Sequence, residues 1–227
     1  MSGQAVKPLR LAVLISGRGS NMLSIARECL AGRLAAQLAL VLADQPAAPG
    51  LAAAASLGLA VQSVDPARFR QEGRLDKAGL EAAMAQAIDA ANPDLIVLAG
   101  FMRVLSPAFV AHYAGRILNI HPSLLPRHKG LHTHERALAA GDAEHGVSVH
   151  YVTAELDGGP VVLQARVPVL PGDDVASLAA RVQREEHIIY PQVIDWIARG
   201  RLQCIDGKLQ LDGAPLAAPL QRTAGAT

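Results

Sequence analysis

Leu9-Arg10-Leu11-Ala12-Val13-Leu14-Ile15-Ser16-Gly17-Arg18-Gly19-Ser20-Asn21 runs from a continuous apolar stretch into a glycine turn. An unbroken run such as Leu9–Ile15, ended by Ser16-Gly17, reads as a strand buried on both faces. From Asn21 the apolar residues fall at Met22, Ile25, Ala26, Cys29 and Leu30, a helical spacing closed by Gly32. Leu38–Ala43 repeats the buried strand, Leu51–Leu57 is alanine-rich and helical up to Gly58, and Leu59–Val64 is a third strand. Leu75–Ala91 reads as a longer amphipathic helix closed by Asn92-Pro93, and Asp94–Ala99 as another two-sided strand ended by Gly100. Ser106-Pro107 supplies an N-cap and a first-turn proline for a short helix to Tyr113. This alternation places the chain in the α/β class, Rossmann-like, with a mostly parallel central sheet and helices on both faces.

The second half changes character. Gly146–Val152 and Val161–Val169 alternate apolar and polar residues and read as antiparallel strands joined through Glu155-Leu156-Asp157-Gly158-Gly159-Pro160, whose glycines and proline supply positive φ and a fixed bend. Gly172-Asp173-Asp174 caps a helix from about Val175 to Ile189, which Pro191 should kink or restart before Trp196. Asp206-Gly207 between short β-prone runs predicts a hairpin over Arg201–Leu211. No repeat or linker divides the chain, so residues 1–213 form one domain and the Ala/Pro-rich residues 214–227 a disordered tail.

Composition narrows the function. With 227 residues, 51% hydrophobic and a net charge of +1, the chain can bury a full core. No apolar run reaches the roughly 18–20 residues of a membrane span, and Met1–Pro8 lacks the apolar core of a secretory signal, so the expected location is cytoplasmic, with no membrane partner. Near-neutral charge and 3% aromatic residues argue against a nucleic-acid partner. Cys29 and Cys204 have no metal-ligand or redox spacing.

Ile117–His121 (Ile-Leu-Asn-Ile-His) is β-prone, and side chains two apart on a strand share a face, so Asn119 and His121 point the same way. An amide donor beside an imidazole suits acyl transfer, where preorganised groups stabilise a developing oxyanion. Pro122 ends the strand and Pro126 keeps Leu125 extended, so residues 122–126 form a stiff loop. Asp157 is the candidate carboxylate partner for His121, although an aspartate in an Asp-Gly turn also has an ordinary structural reading. His150 alternates with Val147 and Val149, and therefore faces away from them. His132-Thr133-His134 lacks the acidic or cysteine companions of a metal site, and packing between loop and helix accounts for it more simply; no metal is expected.

Ser16–Asn21 sits where backbone N–H groups and a helix N-terminus bind anions. It is no P-loop, since no Gly-Lys-Ser/Thr follows, and Met22 stands where a dinucleotide fingerprint requires glycine. A single terminal phosphate and a plain helix cap are both consistent with Gly19, Ser20 and Asn21. Phe101-Met102-Arg103-Val104-Leu105, after the fourth strand, would wall a flat apolar ligand or simply fill core. Gln183 and Glu186 share a helix face, either solvated or holding a polar ligand.

Taken together, Ser16–Asn21, Phe101–Leu105, Asn119–Pro126, Gly130–His134, Ser148–His150, Glu155–Pro160 and Glu185–His187 resemble the phosphoribosylglycinamide formyltransferase family, within the wider family of 10-formyltetrahydrofolate-using enzymes. The resemblance spans roughly residues 9–212 in order. It implies the formyltransferase fold and transfer of a formyl group from 10-formyltetrahydrofolate to the amine of glycinamide ribonucleotide in purine synthesis, by a monomer or homodimer. By matching motifs it makes Asn119, His121 and Asp157 catalytic. Gly19, Ser20, Asn21, Met102, Ile120, Gln183 and Glu186 fall to the nucleotide, and Arg103, Val104, Leu105, Val152, Ala154, Glu155 and Gly158 to the folate. Family members often carry a basic residue before the long helix for phosphate; Arg74 and Lys77 compete here, and Lys77 is preferred.

The nearest rival is a formyltetrahydrofolate deformylase, in which water replaces the amine; that family carries an added N-terminal domain, whereas the first strand here starts at about Leu9. A methionyl-tRNA formyltransferase would need a further C-terminal domain and a basic surface. A non-catalytic nucleotide-binding module and an NAD-dependent dehydrogenase are weaker still, the first against the Asn119/His121/Asp157 set and the second against Met22.

Overall fold

The computed structural model describes residues 7–223. Residues 1–6, read as lacking a signal sequence, and residues 224–227, read as the end of a tail, lie outside them. The chain opens β1 (Leu9–Ile15), α1 (Ser20–Leu30), β2 (Ala36–Ala43), α2 (Pro49–Ser56), β3 (Val61–Ser63). A small hairpin of β4 (Arg70–Gln71) and β5 (Arg74–Leu75) then leads to α3 (Lys77–Ala91), β6 (Leu95–Leu98), α4 (Pro107–His112) and β7 (Ile117–His121). The expected helix start at Leu75 is corrected to Lys77. Arg74 and Leu75 pair with β4, and the Asp76 carboxylate caps the helix by accepting from the Gly79 N–H at 2.9 Å.

The second half supplies α5 (Thr133–Ala139), β8 (Glu144–Tyr151), β9 (Val161–Pro168), α6 (Val175–Ala198), β10 (Leu202–Ile205), β11 (Lys208–Leu211), β12 (Ala214–Pro215) and β13 (Leu220–Thr223). The main sheet has eight strands in the order β13-β9-β8-β7-β6-β1-β2-β3. The strands from β7 to β3 are parallel, β8 is antiparallel to both its neighbours, and β13 is parallel to β9. Only β8 is therefore reversed, and the site gathers at the carboxyl ends of β1, β6 and β7, where the chain switches from one side of β1 to the other.

Each face of the sheet carries its own core. Leu11, Val13 and Ile15 pack with Met22, Ile25 and Ala26 of α1 and with Leu178, Val182, Ile189, Tyr190, Val193 and Ile194 of α6. Ala12 and Leu14 face the other way, onto Leu80, Met84 and Ile88 of α3 and Phe109 and Val110 of α4. Helices on both faces and antiparallel pairing in the C-terminal half agree with the sequence reading.

Two expectations are corrected. Helix α6 neither stops nor restarts at Pro191 but continues unbroken to Ala198. Proline has no N–H for the carbonyl four residues back, and that carbonyl, of His187, accepts instead from the Ser24 hydroxyl of α1 at 3.0 Å. The disordered tail over 214–227 is corrected for residues 214–223. The hairpin of β10 and β11, turning at Asp206 and Gly207 with φ of 48° and 74°, is extended by β12, and β13 adds an edge to the main sheet. Leu216 and Leu220, two apolar anchors within the Ala/Pro-rich segment, pack against the core and account for the order.

Candidate active site

Three segments converge at the end of β7. Asn119 is opposite His150 of β8, and His121 is opposite Ser148, so the polar alternation of the two strands meets on one face. The amide Nδ2 of Asn119 lies 3.1 Å from His150 Nε2. His150 Nδ1 is 2.9 Å from the Tyr151 carbonyl, which can only accept, so the ring proton sits on Nδ1. Burial holds the His150 imidazole below its usual range, with the Tyr151 carbonyl and the Asp157 charge opposing. The ring is then neutral, and its Nε2 lone pair accepts one Asn119 N–H. That bond fixes the amide's orientation and leaves its second N–H for the cavity.

The connection after β8 brings Asp157 back over this face. Its carboxylate lies 3.5 Å from His121 Nδ1 and 3.7 Å from His150 Nε2, and it accepts the Gly130 N–H at 2.9 Å. Asp157 has φ of 47°, a left-handed conformation that Asp and Asn tolerate better than most side chains. His121 Nε2 is 3.0 Å from the His128 carbonyl, so a proton on either ring nitrogen has an acceptor in place. His121 is 6% exposed, which keeps this charge-bearing pair away from bulk water.

The opposite wall is built by α1 and α6. Gly19, with φ of 68°, precedes α1, and no side chain caps that helix. The first helical bond runs from the Leu23 N–H to the Gly19 carbonyl. The Ser20, Asn21 and Met22 N–H groups therefore stand without intrahelical acceptors, the arrangement that attracts an anion. The turn is shaped by close approach: a Cβ on Gly50 of α2 would lie 2.6 Å from the Ile15 side chain and 2.8 Å from the Gly17 carbonyl. From α6, Gln183 Nε2 donates to Ser20 Oγ at 3.0 Å, and Glu186 accepts from Asn21 Nδ2 at 2.7 Å. Burial raises the Glu186 carboxyl above its usual range, against the Asn21 hydrogen bond.

Between these walls opens a cavity of about 630 Å³. Its apolar lining includes Leu98, Phe101, Val104, Ile120, Leu131 and Val152. The Met102 N–H is taken by Ser16 Oγ at 2.9 Å, and Arg103 donates to the buried Asp44 at 2.6 Å. Among the described residues the backbone groups of Arg103, Val104 and Leu105 make no hydrogen bond, so their donors and acceptors are free for a planar heterocycle.

Asn119, His121 and Asp157 thus meet, and the cavity is also lined by Ser20, Asn21, Met102, Ile120, Gln183, Glu186, Arg103, Val104, Leu105, Val152, Ala154 and Glu155. Gly19 adjoins it at the start of α1, and Gly158, next to Asp157, is not among the lining residues, its N–H 3.2 Å from the Glu155 carbonyl. Lys77 is not brought there. Its ammonium lies 3.8 Å from Glu81, in a separate cavity of about 290 Å³ behind Phe101–Leu105. The sequence reading leaves Gly130 without a role and His134 with a packing one, and both also line the main cavity; nothing local marks the Gly130 N–H as a partner of Asp157. Among the described residues no three His, Cys, Asp or Glu side chains are grouped to hold a metal, and no helix is long and apolar enough to cross a membrane.

Residues 9–194 match the formyl transferase family. The phosphoribosylglycinamide formyltransferase of Escherichia coli (strain K12) is 49% identical over 208 residues, 92% of this chain and 96% of that one. A solved phosphoribosylglycinamide formyltransferase from Coxiella burnetii superposes with a TM-score of 0.86 at 45% identity, covering 94% of this chain and 99% of that one. A formyltetrahydrofolate deformylase from Pseudomonas syringae shares the fold, with a TM-score of 0.80, at 22% identity, covering 90% of this chain and 66% of that one.

Proposed function

The chain belongs to the formyl transferase family, and on that footing we propose that it transfers the formyl group of 10-formyltetrahydrofolate to the amine of glycinamide ribonucleotide, a step of purine biosynthesis. The observation that carries this reading is the meeting of two walls. Asn119, His121 and Asp157 lie on one, and a phosphate-type helix N-terminus with Gln183 and Glu186 lies on the other. A nucleotide bearing an amine fits the second wall, and a formyl donor fits the first.

Ser20 and Asn21 hold the phosphate through the free N–H groups of α1, with Gly19 supplying the turn that lets it approach, while Gln183 and Glu186 take the hydroxyls and amine of the same molecule. Met102 and Ile120 flank it. The folate ring lies against the free backbone groups of Arg103–Leu105 and the segment from Val152 to Gly158, with Ala154 and Glu155 along its edge. Lys77 keeps no phosphate role, because its ammonium opens on the other side of Phe101–Leu105.

The neutral amine adds to the formyl carbon, forming a carbon–nitrogen bond and placing negative charge on the formyl oxygen. The second N–H of Asn119 and the imidazole of His121 stabilise that charge. The proton lost by the amine passes, with Asp157 as general base and then acid through water, to the folate nitrogen as its bond to the formyl carbon breaks. The donor exchanges its formyl group for that proton and leaves as tetrahydrofolate.

Absorbance of 10-formyltetrahydrofolate with the purified protein, recorded with and without glycinamide ribonucleotide, tests the proposal. Tetrahydrofolate should form only when the amine is present. Equal release without it would make the protein a hydrolase.

A further inference from the structure

A single row of polar side chains crosses the sheet from its edge to the active site. His121 of β7 is opposite Ser148 of β8, Ser148 is opposite Gln164 of β9, and Gln164 is opposite Gln221 of β13. Residues directly opposite each other share a face. Gln164 is 5% exposed and Ser148 is fully buried, so every hydrogen bond they can make has to be found within the protein.

From Gln221 inwards each side chain donates to the next, and Ser148 donates to the loop. Arg166 Nε donates to Gln221 Oε1 at 3.0 Å, and Gln221 Nε2 donates to Gln164 Oε1 at 3.0 Å. Gln164 Nε2 spends both its hydrogens, on the Leu125 carbonyl at 2.8 Å and on Ser148 Oγ at 2.9 Å. Ser148 in turn donates to the Ser123 carbonyl at 2.7 Å and accepts the Leu125 N–H at 3.0 Å. These acceptors and donors belong to the loop that leaves His121. Within it, the Ser123 hydroxyl holds the Arg127 carbonyl at 2.7 Å, and the next carbonyl, of His128, contacts the His121 ring.

We propose that Gln164 is a positioning residue for His121, and that β13, through Gln221, sets the one amide orientation in which it can hold the 122–128 loop. If Gln164 turned over, its carbonyl oxygen would face the Leu125 carbonyl, and its N–H bonds to the loop at Leu125 and to Ser148, which itself holds the loop, would be lost; the Gln221 N–H is what opposes this. Strand β13 braces the other wall as well, since Arg222 Nε donates at 2.8 Å to Glu185, 7% exposed and adjacent to Glu186.

The kinetic form of this inference rests on the proposed formyl transfer. Gln221→Glu is nearly isosteric and keeps the acceptor for Arg166 but cannot donate to Gln164. In this variant kcat should fall about tenfold, the scale expected for a displaced reacting group, with KM for both substrates within about twofold of the parent. Amide exchange in residues 122–128 should accelerate while the remainder of β7 keeps its protection. Made on top of Gln164→Met, the same substitution should have no further effect, because the row is already broken. An unchanged kcat in Gln221→Glu, or losses that multiply in the double variant, would overturn the proposal. Should the parent chain fail to transfer formyl groups, the assigned function falls, and the exchange measurement still decides the brace: unaltered exchange over 122–128 refutes it.

Discussion

At the residue scale the site depends on small numbers of hydrogen atoms in fixed places. Asn119 has two amide hydrogens, and the neutral, buried His150 takes one, so the other is aimed rather than free to rotate. Asp157 tests the arrangement most sharply. In Asp157→Asn the left-handed backbone and the acceptor for the Gly130 N–H can both be kept, so the fold should persist, while kcat should fall by about 10²-fold or more through loss of the general acid–base. Near-parental turnover, with an unchanged melting temperature, would remove Asp157 from the mechanism. Asn119 and His121 were legible because the two-residue period of a strand is written locally. Asp157 is legible only as a candidate partner for His121 beside its ordinary reading as a turn residue, with likeness to a family favouring the first, and its contact with Gly130 joins two loops that share no pattern. The partnership of Gln164 and Gln221 was illegible for a related reason: each is an unremarkable polar residue until strand register sets them opposite.

At the element scale, most helices and strands announced themselves by period and punctuation, and the misreadings have specific causes. Pro191 was given its intrinsic effect, whereas the orphaned His187 carbonyl finds the Ser24 hydroxyl on a neighbouring helix. That rescue predicts a cost. Ser24→Ala should destabilise the protein by about 1 kcal/mol, the scale for a half-buried carbonyl that loses its donor, readable as a lowered urea midpoint with unchanged slope. No loss, or the same loss in a chain that also carries Pro191→Ala, would show that the hydroxyl is not compensating for the proline. The tail was misread because Ala and Pro dominate its composition, although the few apolar side chains at Leu216 and Leu220 decide its packing. Helix α3 was started early because Leu75 continues the apolar pattern, while Asp76, the cap, is what stops the helix extending backwards.

At the scale of the whole molecule the sheet order, with β8 alone reversed, is what carries Ser148 and His150 to the end of β7. The class and the parallel half are legible in the sequence, but the order of strands depends on which faces find partners, and no local pattern encodes that. Acid should weaken the assembly. Burial, with the His134 and His128 imidazoles adding to it and Asp142 and the Pro122 carbonyl opposing, pushes His145 down to about 4 from 6.5; burial also lowers His134, His150 and His187. A histidine held below its unfolded value contributes stability that is complete above about 6.5 and is lost as the pH falls towards the folded value. Urea midpoints should therefore decline between about pH 6.5 and pH 4, and His145→Gln should flatten that decline; a midpoint insensitive to acid across this window would contradict the burial argument. The sheet's two ends have a consequence of another kind. Strand β3 is three residues long and β13, within the described residues, four, so the outermost strand at each border offers only a brief row of unpaired backbone groups. A stray strand from another chain gains few bonds there, which protects a large, mostly apolar sheet from recruiting its neighbours into aggregates when the protein is crowded.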